Sequence, residues 1–397
     1  MSKSISKSQN EISTTMMIVL AAACGLIVAN LYYSQTLVGP ISTALGLPSG
    51  AAGLIVTLTQ IGYVAGLLFI VPLSDKIENR RLIVTSLAVV VLALILAAVS
   101  TESALFLTAA LLIGSGSVVA QILVPLAAAL SSEKQRGRVV GNVMSGLLLG
   151  IMLARPISSL VAGMWGWRMI FVLSAAGMAL LALWLARVLP KRNPESTLTY
   201  MQLVGSLMEL FKKHPILRRR AFYQALLFGS FSLFWTTVPL RLADEYGMSQ
   251  QGIALFALVG VAGAIAAPIG GRLADRGLTR EITLGAIVTA VVSFLLIALF
   301  HDNSLLSLIL LFVVAVTLDM AVSGNLVASQ RIIFSLGNEA RGRLNGLFMS
   351  IFFIGGAVGS SLGGFTYAHG GWVSSASIGV ALPFIAFLYF LTERKSR

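Results

Sequence analysis

The chain has 397 residues, 57% of them hydrophobic and only 11% charged, and a formal net charge of +13. Soluble domains carry about a quarter of their residues as charges, so folding in water around a single core is excluded. In chain order, apolar stretches fall near 15–40, 49–73, 82–100, 104–130, 139–163, 169–189, 221–242, 251–270, 282–300, 305–330, 344–367 and 373–392. A hydrocarbon layer of about 30 Å takes about 20 helical residues to cross, so these are about twelve expected spans, six per half. They are expected to be helices, because lipid offers no partner for a bare peptide group and only helices or closed barrels avoid that cost. Barrel strands would alternate in polarity, and these runs do not.

The basic charge is read from its placement. With a cytoplasmic N-terminus, 25 of the 28 Lys and Arg fall in cytoplasmic tails and loops; Arg168 and Arg241 lie on the far side and Arg155 lies inside a span. Such a bias sets topology, so the charge predicts both termini in the cytoplasm and no nucleic-acid partner. Cys24, the single cysteine, falls in the first span and is expected to be a packing residue. The polar stretch before Thr15 has no small-residue cleavage site and is read as a tail leading into a retained helix.

The two halves echo each other. Leu73-Ser74-Asp75-Lys76 recurs as Leu273-Ala274-Asp275-Arg276, with the aspartates 200 residues apart. Arg136-Gly137-Arg138 recurs as Arg341-Gly342-Arg343, and Gly166-Trp167 as Gly371-Trp372, both at an offset of 205. The expected organisation is a tail over 1–14, a six-helix bundle over 15–189, a linker over 190–220, a second six-helix bundle over 221–392 and a tail over 393–397. Within the linker, Tyr200 to Phe211 has the alternation of a short amphipathic helix on the inner membrane surface.

These residues resemble the major facilitator superfamily over essentially the whole chain. Gly271-Arg272-Leu273-Ala274-Asp275-Arg276-Gly277 with Arg280 is similar to that family's loop motif, and Leu73 through Arg81 is a copy with Glu78 and Asn79 in place of the family's Gly and Arg. Gly146, Gly150, Ala154 and Pro156 have the spacing of the fifth-helix motif of the drug:proton antiporter branch, with Arg155 where that branch has glycine and Ala110 where its fourth helix carries arginine. The resemblance implies an all-α membrane protein of two six-helix bundles in the inner membrane. It also implies a conformational latch at Asp75, Lys76, Arg80, Arg81, Asp275, Arg276 and Arg280.

Asp319 falls mid-way along the tenth span, where a carboxylate costs at least about 2.5–3.5 kcal/mol to insert and by default marks a functional site or a pair. Arg155 is its expected partner, since the family's fifth helix borders the eighth and tenth. The alternative is that Arg155 snorkels or bonds locally to Gln121 or a tyrosine. Asn30, Tyr32, Tyr33, Gln35, Gln60, Gln121, Phe231, Phe234, Trp235 and Asn325 are candidates for a cavity, because aromatic faces with a few amides suit amphipathic or cationic organic molecules.

Nothing in the sequence builds an enzyme or a metal site. His214, His301 and His369 all fall in loops and no ligand spacing occurs. No glycine cluster precedes a Lys-Ser/Thr pair, so there is no Walker site. The expectation is therefore a cofactor-free, monomeric, proton-coupled exporter of small amphipathic organic compounds working by alternating access. The alternatives are uptake or exchange of a sugar or organic acid, lipid flipping, and a membrane sensor or adaptor that transports nothing.

Overall fold

The computed structural model describes residues 13–194, 198–262, 269–274, 276–336 and 341–393. Among them, ten helical segments are long and apolar enough to cross a membrane. In order these are Thr14–Ala44, Ser49–Asp75, Asn79–Val99, Ser103–Ala129, Gly137–Trp165, Arg168–Val188, Pro215–Asp244, Thr279–Leu299, Leu305–Ser335 and Gly342–Leu391. The last holds two spans, because Gly371 leaves helical geometry with φ 63°. The apolar helix Gln250–Val261 opens one more, whose stretch at 263–268 lies outside the described residues. The fold is all-α and multi-span, as the hydropathy pattern predicts, and the ordinals first to twelfth are used below for these spans.

Local chemistry sets the ends and the breaks. Ser13, Ser249 and Ser304 hydroxyls accept from the backbone N–H three residues on, capping the first, eighth and tenth spans. The first span is not one helix. Thr14–Ala29 ends at Asn30, whose amide donates back to the carbonyls of Leu26 and Ile27 at 3.2 and 3.0 Å, and a tight three-residue-per-turn segment, Tyr33–Leu37, follows. The second span widens into a π turn at Gly66–Ile70 before tightening over Val71–Asp75.

The two bundles repeat one packing device. In the first, a Cβ on Gly25 would come 2.6 Å from the carbonyl oxygen of Gly146, so the first and fifth spans touch backbone to backbone. In the second, Gly229 stands 2.9 Å in the same sense from Gly355, joining the seventh and eleventh. Small residues at such crossings let helices gain dispersion contact where lipid supplies no hydrophobic drive. The repeat extends to the turns before Trp167 and Trp372, where Gly166 and Gly371 have φ of 84° and 63°.

The face of the molecule where the chain enters at Thr14 carries the basic loops, and the opposite face is called the far face. There Arg241, fully buried, donates to Glu245 at 2.8 Å and to the His301 carbonyl at 2.8 Å, and lies 4.5 Å from the Trp372 ring. On the basic face, the linker forms a helix, Tyr200–Lys213, started by a capping box between Thr199 and Gln202. It touches both halves: Tyr200 donates to the Phe69 carbonyl of the second span at 3.0 Å, and Arg343 of the eleventh donates to Ser206 at 2.7 Å.

Candidate functional site

The rarest residues of the apolar spans meet between the bundles. Arg155, on the fifth span just before Pro156, places Nη2 3.2 Å from Oδ1 of Asp319 on the tenth. The other carboxylate oxygen accepts from Trp235 Nε1 of the seventh span at 3.1 Å. The guanidinium also stacks 3.9 Å from the Trp235 ring and 5.1 Å from Phe231. Its backbone is held too, since the Thr36 hydroxyl donates to the Arg155 carbonyl at 3.3 Å and meets Ser158 Oγ at 3.1 Å. Both charges are buried. Removing one partner of such a pair costs about 3–5 kcal/mol, because the other is left uncompensated. The pair is not saturated: Nε and Nη1 of Arg155 find no acceptor.

Asp319 also forms part of the wall of a cavity of about 70 Å³ between the halves. Most of its other lining residues sit on parts of their spans closer to the basic face. Tyr32, Tyr63, Phe228, Phe231, Phe352 and Phe353 supply ring faces, Met144, Met152 and Met349 supply adaptable apolar surface, and Gln121 and Gln330 supply amides. Phe228 and Phe352 stack with centroids 3.8 Å apart. Asn345 donates to Gln121 across the halves at 3.3 Å. Among the described lining residues there is no cation.

Of the ten residues expected to line a pocket, Tyr32, Gln121 and Phe231 do so. The rest pack elsewhere. Asn30 accepts from Ser174 at 2.6 Å, tying the first span to the sixth, and Tyr33 is buried beside it. Gln60 donates to Ser232 at 3.0 Å across the halves. Phe234 packs edge-on to Phe294, and Trp235 stands behind Asp319. Asn325 turns into the second bundle, donating to Gln224 at 2.6 Å and accepting from Thr283 at 2.8 Å. Gln35 is fully buried with neither amide atom partnered.

The loop residues scatter in role. Asp75 is half-buried within electrostatic reach of Arg343, in the other half, and of Arg192. Arg80 donates to the Leu189 carbonyl at 3.4 Å and lies 4.0 Å from Glu78. Lys76, Arg81 and Arg276 are exposed, and Arg280 lies 4.8 Å from the Phe390 ring. Asp275 lies outside the described residues. Tyr63, Phe228, Phe352, Phe353 and the methionines escape sequence reasoning, because in an apolar span they look like ordinary packing.

The family model of the Major Facilitator Superfamily matches residues 15–333 and again 221–397. The chain is 40% identical over 385 residues, 97% of each chain, to the putative uncharacterized transporter YgaY of Escherichia coli strain K12. It is 31% identical to the probable transporter SCO4007 of Streptomyces coelicolor, covering 89% of this chain and 82% of that one. A solved bacterial homolog of the human lysosomal transporter Spinster, in an inward-facing and occupied conformation, shares the fold at a TM-score of 0.75 and 16% identity, covering 96% of this chain and 98% of that one. The protein is a multi-pass membrane transporter of some small solute and not an enzyme: it belongs to the Major Facilitator Superfamily.

Proposed function

We propose that the protein exports small amphipathic organic compounds from the cytoplasm in exchange for protons, with Asp319 carrying the proton and Arg155 as its counter-ion. The observation that carries this reading is the buried ion pair joining the two bundles beside the cavity. An unprotonated Asp319 holds the fifth and tenth spans together; a protonated one frees them, so proton binding and the relative position of the halves are linked. The rings and thioethers around the carboxylate favour a solute with an apolar or aromatic body. In this reading the chain is a monomer of the inner membrane with both termini cytoplasmic, and the bundles at 15–189 and 221–392 move as units. The loops at Asp75, Lys76, Arg80 and Arg81, and at Asp275, Arg276 and Arg280, then latch the halves on the basic face.

A second reading, uptake or exchange of an organic acid, has one observation behind it: the unpartnered Nε and Nη1 of Arg155 could hold a carboxylate. Both are tested with purified protein in liposomes under an imposed pH gradient. The probes are a lipophilic cationic dye, a neutral lipophilic drug and a sugar or organic acid. Dye or drug movement that collapses in Asp319→Asn supports the exporter. Movement of the acid alone sinks the exporter and leaves the second reading.

A further inference from the structure

The site holds a mismatch that the ion pair does not use. Gln35 is fully buried with both amide atoms unpartnered, and Arg155 is fully buried with two donor groups unpartnered. An amide oxygen and guanidinium donors are complementary, and neither set comes without cost when left unmade in a buried place.

Their placement brings them to one layer. Gln35 sits on the tight segment Tyr33–Leu37, where residues three apart eclipse, and its N–H bonds the Tyr32 carbonyl at 3.2 Å. That bond sets Gln35 one tight turn beyond Tyr32, whose phenol lines the cavity within electrostatic reach of both Arg155 and Asp319. The next residue, Thr36, bonds the Arg155 carbonyl. Gln60 Oε1 and Thr236 Oγ1 are unpartnered as well, but the Gln60 amide is anchored on Ser232 and a hydroxyl is the weaker acceptor. The Gln35 amide has no anchoring bond.

We propose that Gln35 is the alternative partner of Arg155. When Asp319 takes a proton, the guanidinium turns to the Gln35 amide oxygen, so that Gln35 sets the pH at which the pair opens. This rests on the reading of Asp319 as the proton site. A neutral Asp319 would otherwise leave Arg155 as a buried cation without a counter-charge, which is the costly state of a broken pair. Among the described residues, the groups that face Asp319 are Arg155 from the fifth span, Tyr32 from the first, the Trp235 N–H from the seventh and Gly260 from the eighth. Among these described residues, Arg155 and Tyr32 are the ionisable ones. Gln35 is thus a positioning residue that acts through Arg155.

Trp235 supplies the readout, since it bonds Asp319 and stacks on Arg155. The experiment is a pH titration of tryptophan fluorescence on the full-length protein in lipid nanodiscs with no solute added, the Trp235 signal being assigned by difference from Trp235→Phe. Gln35→Ala removes the alternative acceptor and is expected to move the midpoint down by about one pH unit, the worth of a hydrogen bond to a charged group. Gln35→Met serves if the alanine variant does not fold. Gln35→Glu adds a second carboxylate competing for one arginine and is expected to move the midpoint up. Shifts of opposite sign support the proposal. No shift, or shifts of the same sign, overturns it while a transition abolished by Asp319→Asn keeps Asp319 as the proton site. A transition that survives Asp319→Asn overturns that assignment and this inference with it.

Discussion

Two seams join the bundles, and they are built differently. Between the second and eleventh spans, Gly53 lies against the carbonyl oxygen of Ser360 and against Gly364, and Thr57 Oγ1 meets Ser360 Oγ at 2.8 Å and donates to the Ala357 carbonyl at 3.2 Å. These mid-span contacts are neutral; the ionisable groups of the same two spans stand at the ends, Asp75 facing Arg343 on the basic face and His369 against Gly50 on the far face. Between the fifth span and the eighth and tenth, Ser159 donates to Gln250 at 2.9 Å, Gln251 donates to the Gly163 carbonyl at 2.9 Å, and the Arg155–Asp319 pair completes the row. At mid-span the first seam depends on backbone approach and hydroxyl bonds, and the second on side-chain bonds around a charge. In the function proposed above, a proton acts at mid-span on the second seam, at Asp319, and not on the first.

The largest expected effect breaks the charged seam. Arg155→Met strands Asp319 as a buried carboxylate and should cost about 3–5 kcal/mol, read as a lower unfolding temperature in detergent. Adding Asp319→Leu should restore most of that stability while proton-driven flux stays absent. A double variant as unstable as the single would show that the pair is not what holds this seam. Next in size, Ser159→Ala with Gln251→Ala removes the far-face bonds of the same seam and should cost about 1–2 kcal/mol. The loss should show as a lower unfolding temperature in detergent, smaller than that of Arg155→Met.

The neutral seam should respond less and differently. Thr57→Val loses the hydroxyl's two bonds across the seam and one to Gly53 of its own helix, about 1 kcal/mol by thermal unfolding, with no change in the pH at which the Trp235 signal turns. A pH shift in that variant would erase the distinction between the seams. The smallest effect lies at the start of the tenth span. Asp302 accepts from the Ser304 and Ser307 hydroxyls, which hold its carboxyl below the usual carboxylate range. A carboxyl lowered in the folded state stabilises at neutral pH, and that contribution is lost as pH falls through the lowered value. Wild type and Asp302→Asn should therefore differ slightly in unfolding temperature at pH 7 and converge in acid below the ordinary carboxylate range.

Asp319 and Arg155 were legible because a charge amid apolar residues stands out in any reading, and the family was legible from the loops at Asp75 and Asp275. The number of spans was legible because lipid thickness dictates run length. What sequence did not give was rotation about each helix axis. A span apolar on all sides shows no preferred face, so Asn325, polar and near Asp319 in the chain, looks like a cavity residue until the structure turns it toward Gln224 and Thr283. Phe228 and Phe353 escape for the converse reason. The break at Asn30, after which the chain tightens through Gln35, depends on an amide turning back on the carbonyls of its own helix, and no pattern of hydropathy records that.

The linker helix has a mechanical consequence. A helix of 14 residues is a stiff rod about 21 Å long, and this one is fastened near its start to Phe69 and at Ser206 to Arg343. A coil of the same length would stretch and let the bundles part freely. In the alternating-access reading proposed above, the rod, whose last turn is also held by Arg218 at the Phe211 and Lys212 carbonyls, would meter how far they separate on that face before the Tyr200 or the Ser206 bond must let go, writing the stroke partly into the spacing between those two residues. Extra residues near 190–194 would slacken a tether, whereas one residue inserted between Tyr200 and Ser206 would rotate the second fastening by about 100° and detune the stroke itself.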